Sequence, residues 1–106
     1  DLHSFPTRRS SDLRLLLAVS PLDGRYATKC GEFQDIFSEY GLIKRRIIVE
    51  CTWLEALCDA RSVKECKPLA PAERKALKAI AANVSVEDAA RVKEIERTTN
   101  HDVKAI

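Results

Sequence analysis

The stretch FQDIFSEYGLIKRRIIVECTWLEALC, residues 33–58, decides the fold of this chain. A cap at Ser38, together with Gly41, predicts that it divides into a short helix and a long one. Spacing of three or four between apolar residues continues for about seven turns, which predicts one buried helical face. Ile48 and Trp53 lie off this stripe, so we expect the long helix to contact more than one neighbour and to expose apolar surface that needs a partner. The stripe comprises Phe33, Ile36, Phe37, Tyr40, Ile43, Ile47, Cys51, Leu54 and Cys58.

The sequence after this stretch predicts two further helices, the beginning of a third, and no strand. Pro71 suits the first turn of a helix. Ser85, followed three residues later by Asp88, resembles the capping box that opens the next helix, which is expected to end near Arg97. Residues 98–100 are predicted to interrupt the helices, beginning at Thr98, and Asn100 is predicted to cap a final helix that begins near residue 101. The fold class is therefore predicted to be all-α. The inward residues are expected to be Leu77, Ile80, Val84, Val86, Ala89, Val92 and Ile95.

Composition excludes several classes of protein. A chain of 106 residues is one domain at most, and 45% hydrophobic with 32% charged residues is typical of a soluble globular protein. Its 18 basic and 16 acidic residues are well mixed, so neither nucleic acid nor a membrane surface is an expected partner. No apolar run approaches a membrane span of about 18 residues, and a cytoplasmic location is predicted. The four cysteines lack zinc-ligand spacing, so we expect no metal and reduced thiols, with Cys51 and Cys58 in the core.

The first thirteen residues, DLHSFPTRRSSDL, do not match the rest of the sequence. They are polar and aperiodic, so residues 1–13 are predicted to be an artefact or a disordered tail. A basic arm is the alternative, but Arg8 and Arg9 are offset by Asp1 and Asp12. Residues 14–106 are predicted to form the folded domain.

Two polar segments carry the candidate chemistry, and SPLDGRY at residues 20–26 is the first. Asp23-Gly24 predicts a turn in which Gly24 can take a positive φ. The turn would present Arg25, a planar cation, beside the phenol of Tyr26, which suits phosphate or carboxylate. The alternative is that Arg25 pairs with Asp23 or another acidic residue and that Tyr26 only packs.

The second segment is ERTTNHDVKA at residues 96–105. It places the amide of Asn100, the imidazole of His101 and the carboxylate of Asp102 at a predicted helix start, where free backbone N–H groups attract anions. Histidine also titrates near neutral pH. The alternative is a well-capped helix with a surface histidine.

Four motifs in this order and spacing, AVSPLDGRY, FSEYGLIKRR, WLEAL and IERTTNHDVKA, resemble the amino-terminal part of the adenylosuccinate lyase family. The resemblance covers residues 18–106. It implies the amino-terminal helical domain of the fumarase/aspartase superfamily, truncated before the central helical bundle. It also implies β-elimination of fumarate from adenylosuccinate, giving AMP, and from the succinyl-carboxamide ribotide SAICAR, giving AICAR. No metal or organic cofactor is expected.

The resemblance also implies roles for individual residues. Arg25 and Tyr26 would contact the nucleotide part of the substrate, and Asn100, His101 and Asp102 would form a second substrate-binding segment. The family's catalytic histidine and its mobile serine loop have no counterpart here, so no catalytic residue is expected within this chain. Both are expected downstream, and the 106-residue chain alone is expected to be inactive.

Three readings of the chain stay open at this stage. The first is a fragment of such a lyase, whose full-length form is expected to be a homotetramer with active sites built from several subunits. The second is a related lyase acting on argininosuccinate. The third is a stand-alone helical interaction module that keeps the fold without the chemistry.

Overall fold

The computed structural model describes residues 16–106, so the tail predicted at residues 1–13 lies outside the described residues. The described part of the chain contains helices and no strand, and the predicted all-α fold is confirmed. The chain divides into two units, Asp1–Gln34 and Asp35–Ile106. The single domain over residues 14–106 stays a prediction.

The α-helices with assigned bounds are α1 (Gln34–Phe37), α2 (Glu39–Asp59), α3 (Pro71–Ala82) and α4 (Val86–Thr99). Three short 3₁₀ helices accompany them: η1 (Ala27–Lys29), η2 (Gly31–Phe33) and η3 (Val103–Ala105).

Local capping chemistry places the helix starts where the sequence predicts them. The break at Ser38 is confirmed, because its Oγ accepts a hydrogen bond from the N–H of Gly41 at 3.0 Å. The capping box is also confirmed: Ser85 Oγ accepts from the N–H of Asp88 at 3.0 Å, and the Asp88 carboxylate accepts from the N–H of Ser85 at 2.9 Å. Pro71 occupies the first turn of α3, where a missing N–H is harmless.

The second unit has a small apolar core between α2, α4 and η3. Its buried members are Ile43, Ala89, Val92 and Ala105. Tyr40 also packs against this core, and its hydroxyl donates a hydrogen bond to the backbone oxygen at position 84 at 2.7 Å. This bond ties α2 to the connection between α3 and α4.

Burial confirms some of the predicted inward positions and corrects others. Ile43, Cys58, Val84, Ala89 and Val92 are buried. Helical spacing predicts which face of a helix is apolar, but not whether another element covers that face. The residues predicted inward that are instead exposed are Phe33, Ile36, Phe37, Leu54, Ile80 and Val86.

An ionic cluster joins α2 to α3. The guanidinium of Arg74 pairs with the carboxylates of Glu55 and Asp59, the latter at 2.6 Å. The hydrogen bond from Arg74 holds the pKa of the Asp59 carboxyl below its ordinary value. These contacts fix the carboxyl-terminal half of α2 beside the first turns of α3.

The described residues bear on three further expectations. Their cysteines are all free thiols; Cys58 is buried and Cys51 is half-buried. No group of histidine, cysteine or acidic side chains among residues 16–106 could hold a metal ion. None of the helices in that range is long and apolar enough to cross a membrane.

Candidate substrate-binding segments

The first candidate segment is a turn in the first unit. The N–H groups of Asp23 and Gly24 donate to the carbonyl of Ser20 at 3.0 and 2.9 Å, so the predicted turn forms. Gly24 is buried, but no described glycine has a positive φ, so this conformation does not require glycine for that reason. The turn leads directly into Tyr26, which precedes η1.

Arg25 and Tyr26 contact each other at the end of this turn. The guanidinium carbon of Arg25 lies 4.6 Å from the centre of the Tyr26 ring, within cation–π distance. The alternative pairing with Asp23 is not observed: no ion pair joins Arg25 to another residue in the described range. The guanidinium donors of Arg25 are therefore available to an anion.

Lys29 is a second cation at this ring, and the sequence reasoning missed it. Its Nζ lies 5.8 Å from the centre of the Tyr26 ring. The backbone explains this placement, because the N–H of Lys29 donates to the carbonyl of Tyr26 at 2.9 Å, and residues three apart in a 3₁₀ turn eclipse one another. The signal that could have found it is the i, i+3 spacing of tyrosine and lysine after a turn.

The second candidate segment follows α4 in the second unit, and here the structure corrects a prediction. Asn100 does not cap a final helix; it ends α4 in the left-handed conformation (φ 49°, ψ 36°), and its N–H donates to the carbonyl of Glu96 at 2.7 Å. Asparagine tolerates this conformation better than most residues, which explains its place after the last helical turn. Thr98 continues α4 instead of interrupting it, with its hydroxyl donating to the carbonyl of Ile95 at 3.1 Å.

Asp102 and His101 cap the short 3₁₀ helix that follows. The Asp102 carboxylate accepts from the N–H of Val103 at 2.8 Å, and His101 Nδ1 accepts from the N–H of Lys104 at 3.2 Å. These two backbone donors already have side-chain acceptors and are not free for an anion, and the substrate-binding role of the segment stays a prediction. A nitrogen that accepts carries no proton, so neutral His101 has its hydrogen on Nε2.

Arg46 joins this segment to α2, a contact that sequence reasoning also missed. Its Nη2 lies 2.9 Å from Asp102 Oδ2. The hydrogen bond from Val103 is the larger cause that lowers the pKa of the Asp102 carboxyl, and Arg46 and His101 lower it further. No spacing rule relates α2 to a loop so far along the chain, so only the basic run at residues 44–46 could have drawn attention to it.

The five predicted residues thus fall into two local groups. Arg25 and Tyr26 touch each other in the first unit. Asn100, His101 and Asp102 are consecutive in the second unit, and His101 Nδ1 lies 3.6 Å from Asp102 Oδ1. Chemically, the first group offers one cation and a phenol, with Lys29 as a second cation beside them. The second offers an amide, an imidazole N–H and a carboxylate already paired with arginine.

The chain is similar in sequence to curated adenylosuccinate lyases. It is 53% identical over 95 residues to the adenylosuccinate lyase of Escherichia coli (strain K12), covering 90% of this chain and 21% of that protein. Identity to the Vibrio cholerae protein of the same name is 50%, with the same coverage. The Dictyostelium discoideum adenylosuccinate lyase is 38% identical over 104 residues, covering 94% of this chain and 22% of its own. No protein-family model matches. The chain therefore spans about a fifth of the length of the curated relatives it matches.

Proposed function

We propose, since this chain belongs to the adenylosuccinate lyase family, that it forms part of an enzyme that eliminates fumarate from adenylosuccinate, giving AMP. The same enzyme would cleave SAICAR to AICAR and fumarate. The observation that supports this most strongly is 50–53% identity over 90% of the chain. A match of that extent omits only the outermost residues, so it includes Arg25 and Tyr26.

The proposed reaction explains why these side-chain types are needed. A base removes a proton beside a carboxylate while an acid protonates the departing nitrogen, and negative charge develops between these events. Hydrogen-bond donors fixed in advance stabilise such charge more effectively than water does. Guanidinium, imidazole and amide donors are suited to that task.

The first segment would bind the anionic nucleotide. The contact with the Tyr26 ring restrains the Arg25 guanidinium, so its donors lose less rotational freedom on binding. Lys29 adds a second positive charge at the same ring. We assign Arg25 and Tyr26 to nucleotide binding, with Lys29 in support.

The second segment would orient the substrate through Asn100 and the Nε2–H of His101. Asp102 contributes by capping η3, and its charge is offset by arginine. None of these residues is proposed as the general acid or base. The catalytic histidine and serine are proposed to lie in further sequence of the full-length protein, which we propose to be a cytoplasmic homotetramer.

The first test is to sequence the intact gene across both ends of this fragment. An open frame that continues past Ile106 through a catalytic histidine and a serine-loop motif would support the proposal. A genuine stop codon after Ile106 would refute the enzyme and favour a stand-alone interaction module, for which partner capture becomes the experiment. The purified 106-residue chain should release no fumarate from adenylosuccinate.

The second test uses the full-length enzyme once it is in hand. Arg25→Gln should raise KM for adenylosuccinate about 10- to 100-fold, because one charge-assisted hydrogen bond contributes about 1.5–3 kcal/mol. Arg91→Gln is the matched control, since Arg91 is exposed and pairs with Glu94 on its own helix. An unchanged KM in the Arg25 variant would remove that residue from the site. Comparable turnover of argininosuccinate would instead support the related lyase.

A further inference from the structure

An ion pair between Arg46 and Asp102 links α2 to the second candidate segment, beside the apolar contact that Ile43 and Ala105 make in the core. Its two atoms are 2.9 Å apart, and only 29% of the Arg46 side chain is exposed, against 48% for Asp102. A half-covered pair is screened less by salt than one fully in water.

Asp102 is restrained from two directions at once. Arg46 contacts Oδ2, whereas the N–H of Val103 donates to Oδ1. A carboxylate held at both oxygens cannot rotate about its last bond without losing one of these contacts. The same Oδ1 lies 3.6 Å from His101 Nδ1, so the position of the carboxylate also sets the charge that the imidazole faces.

The position of the Asp102 carboxylate affects which ring nitrogen of neutral His101 carries the hydrogen. Its Nδ1 accepts from the backbone N–H of Lys104 at 3.2 Å, which leaves Nε2–H as the donor of the neutral ring. If Asp102 turned away from Val103, η3 would lose its cap, and the N–H of Lys104 would no longer be held against the ring. The imidazole could then exchange between tautomers.

The charge of Asp102 gives Arg46 a second effect. An uncompensated carboxylate beside Asn100 and His101 would repel an anionic ligand. The guanidinium of Arg46 offsets that charge at 2.9 Å. The segment then presents neutral donors to the ligand without a repulsive neighbour.

We propose that Arg46 is a positioning residue: through Asp102 it fixes the segment Asn100–Asp102 so that His101 presents Nε2–H to an anionic nucleotide. The ligand in this statement rests on the proposed function. The positioning can be measured without any ligand, so the two can fail separately.

The test is NMR of the ¹⁵N-labelled 106-residue chain. Its two histidines are His3 and His101, and a His3→Ala background leaves one imidazole to observe. In the parent we expect a long-range ¹H–¹⁵N spectrum with protonated Nε2 and unprotonated Nδ1. Arg46→Gln should shift this spectrum towards a mixture of tautomers and accelerate amide exchange at Lys104 about two- to fivefold, the factor that a partly exposed ion pair supplies.

Three further variants separate positioning from general destabilisation. Arg46→Lys keeps the charge and should restore most of the parent spectrum. Asp102→Asn keeps an oxygen for Val103 but loses the attraction to Arg46, so it should resemble Arg46→Gln, and the double variant should show no added effect. Arg91→Gln removes a charge elsewhere in the unit and should leave His101 unchanged. A parent-like His101 spectrum and Lys104 exchange rate in Arg46→Gln would overturn the proposal.

AMP titrated into the parent and the variants addresses the ligand. Weaker AMP binding in Arg46→Gln than in the parent, with Arg91→Gln unaffected, supports both proposals. A parent that binds no AMP would count against nucleotide binding by this chain, while the imidazole spectrum would still decide the role of Arg46.

Discussion

Replacing Gly41 by alanine tests the packing of α1 against α2, because two physical effects predict opposite signs. Gly41 is buried in the first turn of α2. A Cβ built there would lie 2.7 Å from both the backbone carbon and the backbone oxygen of Ile36, and 2.9 Å from the backbone oxygen of Asp35. Real Cβ atoms do not approach backbone so closely, and backbone cannot rotate away as a side chain can.

The magnitude follows from comparing the two effects. Helix propensity favours alanine over glycine by at most about 1 kcal/mol. Overpacking costs about 1–3 kcal/mol, and contact with rigid backbone places this site in the upper half of that range. The net expectation for Gly41→Ala is a loss of about 1–2 kcal/mol in the free energy of unfolding. Separation of α1 from α2 is the structural change that would relieve the contact.

Urea unfolding followed by far-ultraviolet circular dichroism, with fluorescence of the single tryptophan on α2, measures this loss. The control is Gly31→Ala, because a Cβ at Gly31 meets nothing within 4 Å. That variant should leave the unfolding midpoint of the second unit unchanged. If Gly41→Ala instead raised the midpoint, propensity alone would govern the site, and the close approach between α1 and α2 would be refuted.

Three other predictions address the core, the ionic cluster and the end of α4. Ile43→Ala should lower the free energy of unfolding by about 2–5 kcal/mol, because Ile43 is 2% exposed. Val49 is 61% exposed, so Val49→Ala should change it by less than about 0.5 kcal/mol. Equal effects of the two variants in urea titrations would contradict this expectation. Folding lowers the pKa of Asp59, so its ion pair with Arg74 stabilises the folded state at pH values above the pKa of the unfolded chain. This stabilisation is lost below about pH 4, as the pH falls through the pKa of the folded state. Arg74→Met should therefore flatten the acid dependence of thermal unfolding, and an unchanged slope would exclude the pair as its cause. Asn100→Gly should preserve amide protection from hydrogen exchange at the end of α4. Asn100→Ala should lower the free energy that protects these amides by about 1 kcal/mol, because residue 100 has a φ of 49°, which alanine adopts at a cost. Equal protection in the two variants would argue against the left-handed cap.

Local rules predicted those parts of the fold that depend on neighbours in sequence. Ser38 and the Ser85–Asp88 pair cap helices as predicted, because a side chain and a backbone N–H three residues away are brought together by the helical turn itself. Periodicity also identified the buried Ile43 and Val92. It failed at Ile80, which is 56% exposed, because periodicity gives the apolar face of a helix but not whether another element covers it.

The candidate site shows the same division between local and long-range information. The residue types at positions 100–102 were identified from the sequence, but their geometry was not. Asparagine is favoured both at helix starts and, in the left-handed conformation, just after helix ends, and two preceding threonines suggested a break where α4 continues. Arg46 could not be found by any local rule, because its partner lies on a different element.

The two segments differ in what they offer to a ligand, and this difference divides the proposed recognition between them. In the first unit, Arg25 and Lys29 place two cations at one tyrosine ring, so this segment supplies attraction for negative charge. In the second, Arg46 and Asp102 offset each other, and the first backbone donors of η3 are already accepted by side chains. What remains there is directional: an amide and an imidazole N–H held in fixed positions. Under the proposed function, the first segment would supply charge recognition and the second would supply orientation, and we expect that orientation to be lost if either partner of the ion pair moves.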